Sequence, residues 1–482
     1  MLFRSIISLS FREELAGTGG NQPDMVAGRS SAPRLETIDG GSFSFGPLVA
    51  AWAQRHMKVT LMDWQVRALS GQLAADDAGD LLHREALVST ARQQGKSVAL
   101  RALIGWWLTD FAKHRGQAQN VMSIANRLDR AETIYNDLAP ILKNNFGAKL
   151  LQAIGRKSAT LPDGSKWEVR AASPRLHGAS NDLVVIDELF DIDEAVLDEA
   201  LRPSMIARRS PLLSCWSTAG DAQSYAMIKM REEGLSLIDQ GRRGLLYFAE
   251  WSMPPGKEGE QYWHWANPAL GHTVTIEALR AASTKDYFRR AHLNQWVAAR
   301  GAWLDNPAIW DMCKTSEACP PGGVLAVDSS VDESRYVGVR AVQLPDGRTI
   351  VHPEFVVDSE LQMWQEIRRV MAAPTTQLLI TPGLEIHLPV ELRRRTNLTG
   401  YAELLKHTKL VRAMIVEGRL VHTGETTLSE HVARAVLVKV ADNVVISSQK
   451  SPGPIELCRC MIWAAATASK PATSHKPALM VV

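Results

Sequence analysis

Ala86-Leu87-Val88-Ser89-Thr90-Ala91-Arg92-Gln93-Gln94-Gly95-Lys96-Ser97 decides the fold. A short apolar run of β type feeds a loop that ends in Gly-Lys-Ser, and a helical pattern from Val98 to Trp107 follows at once. That order is the one in which backbone N–H groups and a helix N-terminus cradle an anionic phosphate. In such a loop the lysine (Lys96) reaches the terminal phosphates and the serine (Ser97) coordinates magnesium, with Gly95 giving the backbone its close approach. Thr90 stands where the first glycine of the motif is usual.

Roughly ninety residues downstream lies Asp182-Leu183-Val184-Val185-Ile186-Asp187-Glu188. Four apolar residues in a row read as a strand buried on both faces, at the centre of a parallel sheet. Its two acids fall at the C-terminal end, where open α/β sheets place their ligands. Asp187 is expected to hold magnesium through water, and Glu188 to polarise the water that attacks the γ-phosphate. An acidic helix cap is the plainer reading of such residues, and it suits Asp191 and Asp193 better. The two motifs together imply an ATPase that uses ATP and Mg2+.

Composition permits this and adds little. The length fits two to four domains, and a net charge of +2 confines any nucleic-acid surface to a local patch. The five cysteines have no zinc-ligand spacing, which suits a reducing cytoplasm. No apolar run approaches the ~20 residues needed to span a bilayer. Residues 1–44 read as a mobile N-terminal arm or a misassigned start, rich at first in Gly, Ser, Pro and Asn.

Three blocks follow. Residues 45–252 alternate strand and helix in the manner of a mostly parallel sheet, with strands expected over 86–90, 120–125, 166–171, 183–187, 212–217 and 244–250. Residues 253–320 have no strand signal and read as a helical connector dense in tryptophan. Residues 321–470 begin with a strand at 324–328 and a hairpin over 336–357, whose turn is Pro345-Asp346-Gly347-Arg348. A helix over 360–371, a strand over 377–381 and a closing helix over 456–469 complete the block, and 471–482 form a tail. The fold class is therefore α/β in two modules.

The chain resembles the large terminase subunit of tailed bacteriophages from Val59 onward. Leu61-Met62-Asp63-Trp64-Gln65 looks like that family's adenine-recognition segment, with Gln65 reading the base edge. Arg92 stands where the P-loops of these motors often carry a basic residue. Ser214-Cys215-Trp216-Ser217-Thr218-Ala219-Gly220 resembles the coupling segment, in which a strand-end hydroxyl (Thr218) senses the γ-phosphate. Trp265-Ala266-Asn267-Pro268-Ala269-Leu270-Gly271, Phe288 to Trp296 and Trp303-Leu304 are similar to the segment between the family's domains.

The resemblance implies a ribonuclease H-like nuclease as the third block. Such a site needs acids that hold two divalent metals, Mg2+ or Mn2+, ~4 Å apart. Asp328, closing a strand before a hairpin, and Glu456, opening the last helix, fall where that fold puts its first and last acids. The middle strand, Gln377 to Thr381, ends without an aspartate; Glu385 is the nearest acid and Asp332 another candidate. The resemblance further implies a viral DNA-packaging motor with an endonuclease, acting in the host cytoplasm. Its partners are double-stranded DNA, a portal protein, a small terminase subunit and a homo-oligomeric ring of about five copies. In such a ring an arginine often completes a neighbour's site; Arg92 is a candidate in cis, and Arg127, Arg130, Arg202 and Arg208 in trans. Two other classes remain: a P-loop translocase or helicase with an inactive structural C-terminal module, and an assembly protein in which nucleotide only orders the fold.

Overall fold

In the computed structural model the apolar runs become strands of two sheets. It describes residues 32–470 apart from 127, 154–155, 174–175, 177–179, 222, 297–300, 305, 307 and 441–442, and without the side chains of 128–131 and 156. The first sheet contains β1 (Leu35–Glu36), β4 (Glu85–Ser89), β5 (Asn120–Ala125), β6 (Lys149–Ala153), β7 (Arg156–Thr160), β8 (Lys166–Ala171), β9 (Leu183–Asp187), β10 (Leu212–Ser217) and β11 (Leu246–Glu250). Its order is β1-β11-β4-β10-β9-β5-β8-β7-β6. The centre, from β11 to β8, is parallel throughout. Leu183, Val184, Val185 and Ile186 are all fully buried, as a strand covered by helices on both faces requires. A two-strand ribbon, β2 (Phe43–Ser44) with β3 (Ala74–Ala75), lies before the P-loop strand.

Antiparallel additions at both edges depart from the sequence reading. The pair β6–β7 extends the sheet beyond β8. At the other edge β1 pairs with β11, so Leu35–Glu36, read as part of the arm, belongs to the sheet.

The second sheet contains β12 (Gly323–Ser329), β13 (Tyr336–Gln343), β14 (Thr349–Val357), β15 (Thr376–Ile380), β16 (Thr396–Leu398) and β17 (Leu420–His422). Its order is β16-β15-β12-β13-β14-β17. The first three strands run antiparallel and β15 runs parallel to β12, the layout of a ribonuclease H-like sheet. The Asp346-Gly347 turn closes as expected: Leu344 N–H donates to the Arg348 carbonyl at 2.7 Å, and Gly347 takes φ +87°. The helix Glu456–Ala468 packs on β12 and β13 and is buried along almost its whole length, which fits its run of Leu, Cys, Met, Ile, Trp and Ala. A small hairpin, β18 (Leu437–Val440) with β19 (Asn443–Ile446), precedes it. Both sheets belong to one folded unit. Among the described residues no helix is long and apolar enough to cross a membrane.

Tryptophan fills the first core. Trp52, Trp64, Trp106, Trp107, Trp167, Trp216 and Trp251 are all buried there. The P-loop helix Lys96–Trp106 approaches Trp52 so closely that a Cβ on Gly105 would lie 2.0 Å from the indole Cη2. Gly105→Ala therefore overpacks a closed core and is expected to destabilise the protein by about 1–3 kcal/mol, despite alanine's better helix propensity. Denaturant unfolding of the variant checks this; unchanged stability would show that the Trp52 ring yields freely.

Candidate functional site

The parallel registers bring three strand ends to one level. Ser217 lies opposite Ser89, and Trp216 opposite Asp187, so β10 stands between the P-loop strand β4 and the acidic strand β9. Beyond Ser89 the chain turns through Gly95, at φ +91°, into the helix that begins at Lys96. A Cβ on Gly95 would lie 2.9 Å from Gln65 Nε2.

Five predicted residues converge here. Lys96 is 6% exposed, and its ammonium donates to the carbonyls of Ala91 (3.1 Å) and Thr90 (3.4 Å) and to Thr218 Oγ1 (3.1 Å). Ser97 Oγ donates to Asp187 Oδ2 at 3.1 Å. Burial, and then the neighbouring Glu188 carboxylate, push the Asp187 carboxyl up from its ordinary value. Glu188 sits in the left-handed region at φ +65°, with one oxygen 4.0 Å from Lys96 Nζ and the other, Oε2, buried without a hydrogen-bond partner. A glutamate is rarely found at positive φ, and such strain gathers where a side chain must be aimed.

This donor set fits a magnesium-bound nucleoside triphosphate. Ser97 and Asp187 offer adjacent hard oxygens, Lys96 a buried cation, and Glu188 an oxygen with free acceptor capacity. Arg92 is exposed at the rim of the loop. Gln65 lies against the loop but has both amide atoms occupied: Nε2 donates to the Gly95 carbonyl at 2.8 Å and Oε1 accepts from Met62 N–H at 2.7 Å. It would have to release one of them to read a base.

The connector holds the loop in shape, and sequence reasoning missed the residues that do so. Gln94 Nε2 donates to Asn267 Oδ1 at 2.8 Å, and Gln94 Oε1 accepts from Ala269 N–H at 3.0 Å. Thr90 donates through Oγ1 to the Ala266 carbonyl at 3.2 Å, which explains a threonine in place of glycine. Arg92 N–H donates to the Ala291 carbonyl at 2.8 Å. Asn294 is fully buried, accepts from Ala219 N–H at 2.6 Å, and donates to Ser89 Oγ and the Trp251 carbonyl, each at 2.9 Å. The available signal was Asn267 and Asn294 within stretches otherwise patterned as core.

Of the arginines considered as completing a neighbour's site, Arg127 lies outside the described residues, and so does the side chain of Arg130. Arg202 forms a bidentate pair with Glu85, and Arg208 pairs with Asp182. Glu85 and Asp182 stand at the start of β4 and just before β9, so both arginines lie at the strand-start end of the sheet, away from Lys96 and Asp187 of the same chain.

In the second sheet Asp328 and Glu456 come together as predicted, but each has an arginine. Asp328 Oδ2 lies 2.5 Å from Arg459 Nη2, an ion pair whose angle gives that buried oxygen no hydrogen bond, and Glu456 Oε2 accepts from Arg335 Nη2 at 3.0 Å. Burial raises the Asp328 carboxyl to about 6; Arg459 opposes that shift and Glu456 adds to it. Burial also pushes Glu456 up, but the guanidiniums of Arg335 and Arg459 outweigh it and hold the carboxyl below its ordinary value. Glu385 is exposed in the short helix Pro382–Glu385, and Asp332 is exposed and bonded to Ser330 and Ser334. Among the described residues no three His, Cys, Asp or Glu side chains converge to hold a metal ion. Glu385 therefore does not complete the site, and two carboxylates already neutralised by two guanidiniums do not fit a pair of divalent ions.

No family model matches the chain. Protein YmfN of Escherichia coli strain K12 is 27% identical over 165 residues, 31% of this chain and 35% of that protein. The match thus spans about a third of the curated relative. The solved structures it is similar to are large terminases of phages. That of bacteriophage HK97 is 16% identical, with a TM-score of 0.47, over 88% of this chain and 99% of that one. The large terminase ATPase domain of a Thermus phage, P74-26, is 16% identical, with a TM-score of 0.33, over 44% and 88%. The large terminase nuclease of thermophilic phage G20c is 10% identical, with a TM-score of 0.27, over 35% and 97%.

Two outcomes follow from this geometry. Asn294→Ala strands the Ala219 N–H and the Trp251 carbonyl in the interior, and should cost about 2–4 kcal/mol in denaturant unfolding. Asn294→Asp sets a carboxylate oxygen against the Trp251 carbonyl in a closed site and should cost at least as much; a loss below about 1 kcal/mol in Asn294→Ala would refute the role. Asp328 predicts a pH effect. Its carboxyl rises from 3.8 to about 6 on folding. Between those values the folded state holds a proton that the unfolded state has lost, so this group's stabilisation is complete below the window and disappears as pH rises through it. Asp328→Asn mimics the protonated form. Its melting temperature should gain on the parent as pH rises through the window, by up to about 3 kcal/mol in stability. A constant difference across the range would refute the raised value.

Proposed function

We propose that this chain is an ATP-driven double-stranded-DNA translocase of the large-terminase type, a subunit of a motor that fills a procapsid. The observation that carries the ATPase part is the convergence of Lys96, Ser97, Asp187 and Glu188 at the C-terminal ends of three parallel strands. Ser97 and Asp187 would hold the magnesium ion, which when bound neutralises charge on the β- and γ-phosphates. Lys96 leaves the loop carbonyls to meet the terminal phosphate, while Thr218, its present partner at the end of β10, registers that move. Glu188 orients the attacking water with its unpartnered oxygen. DNA as the load, and a portal, a small subunit and a ring of like chains as partners, come to this chain through its terminase-like motifs.

Lys96→Ala should abolish nucleotide binding, measured with a fluorescent ATP analogue. Glu188→Gln should bind ATP within about threefold of the parent and lose about 10²–10⁴ in single-turnover hydrolysis, since an amide cannot take up the water's proton. Full turnover in Glu188→Gln would sink the catalytic assignment.

A further inference from the structure

The second module shows how its acids are used. Asp328 and Glu456 belong to a buried cluster in which five arginines (34, 231, 335, 434 and 459) face five carboxylates (232, 250, 328, 430 and 456). His431 joins the two parts. Its Nε2 donates to Glu232 Oε2 at 2.8 Å, and its Nδ1 accepts from Leu457 N–H at 3.2 Å, the pattern of a neutral imidazole. The charges in this cluster therefore balance without any further cation.

We infer that in this chain Arg335 and Arg459 are resident substitutes for divalent metal, so that the ribonuclease H-like module takes up no metal at Asp328 and Glu456 and does not cut DNA by that route. Two divalent ions would add four positive charges to a buried group that is already neutral, and both guanidiniums would have to leave. Their surroundings oppose departure. Arg459 also donates to Ser448 Oγ at 3.2 Å, and its position on the first turn of the closing helix faces it to β12. Arg335 is 13% exposed, and Glu232 of the first module adds to the field that holds it charged. The carboxylates instead anchor the closing helix and β12 to the charges that dock the two modules. The inference stands apart from the ATPase reading, and any ends this motor leaves on DNA would be supplied by a separate phosphodiester-cleaving enzyme.

The test uses the full chain, without nucleotide, with and without duplex DNA. Mn2+ uptake is read by electron paramagnetic resonance and cleavage by nicking of supercoiled plasmid. The parent and Asp328→Asn should take up Mn2+ within about twofold of each other, and neither should nick. Arg459→Gln frees the Asp328 carboxylate and should raise Mn2+ affinity at least about tenfold. Asp328-dependent uptake or nicking in the parent, in either condition, overturns the inference, as does an Arg459→Gln variant with no gain. Glu456→Gln replaces Asp328→Asn if the latter does not fold. ATP turnover measured on the same preparations separates the two readings: its loss strikes the ATPase assignment and leaves this one standing.

Discussion

The contact that the two-module structure depends on is the buried lattice of charge between helix Tyr225–Asp239 and helix Thr426–Arg434. Arg231 bridges Glu250 and Glu430, while Glu232 holds both His431 and Arg434, all with side chains at most 6% exposed. Asp239 accepts from the N–H groups of Thr426 and Thr427, each at 2.7 Å, so the first module caps a helix of the second. A single unpaired charge here would carry a desolvation penalty of several kcal/mol, so the set is stable only when complete. The modules cannot slide past one another by small steps. Either the lattice stays whole and the second sheet moves with the first, or it breaks cooperatively.

A second dependence runs through the connector. Residues 263–294 span the sequence between the modules, yet the Asn267 side chain and the backbone of Ala266 and Ala269 bond to Thr90 and Gln94 of the P-loop. Asn294 ties together the ends of β4, β10 and β11, through Ser89, Ala219 and Trp251. Thr218, which accepts from Lys96, is thus one residue from a backbone N–H held by a buried asparagine of the segment that leads to the second module. The P-loop, the ends of these strands and the connector are bonded into one element.

Much of this was legible in the sequence because apolar burial leaves a pattern. Leu183-Val-Val-Ile was readable as a central strand, Gly-Lys-Ser as a phosphate loop, and the apolar run after Glu456 as a buried helix. The pair β6–β7 was not, because Lys149–Ala153 is largely exposed and an edge strand has no second buried face to impose a pattern. The strand β1 is two residues long and follows a stretch whose composition resembles a loop. The charge lattice was illegible for another reason. Arg231 and Glu232 sit in a run of charged residues on a helix, as do Glu430, His431 and Arg434, and such runs are normally solvated faces. Only the fold shows that partners about two hundred residues apart meet in the interior. The acids Asp328 and Glu456 could be placed from sequence; their counter-ions could not.

That difference gives the same side chain two fates in one molecule. At the end of β9, Asp187 and Glu188 carry two negative charges against one positive charge on Lys96, with a serine hydroxyl as neighbour. The surplus charge gives a cation something to satisfy. At the end of β12, Asp328 and Glu456 carry two negative charges against two positive ones, and Arg459 is bonded to Ser448 as well. A strand-end carboxylate is open to metal where no guanidinium already lies against it. Position in the fold puts both pairs of acids where ligands bind; local charge balance decides which pair has a ligand to bind.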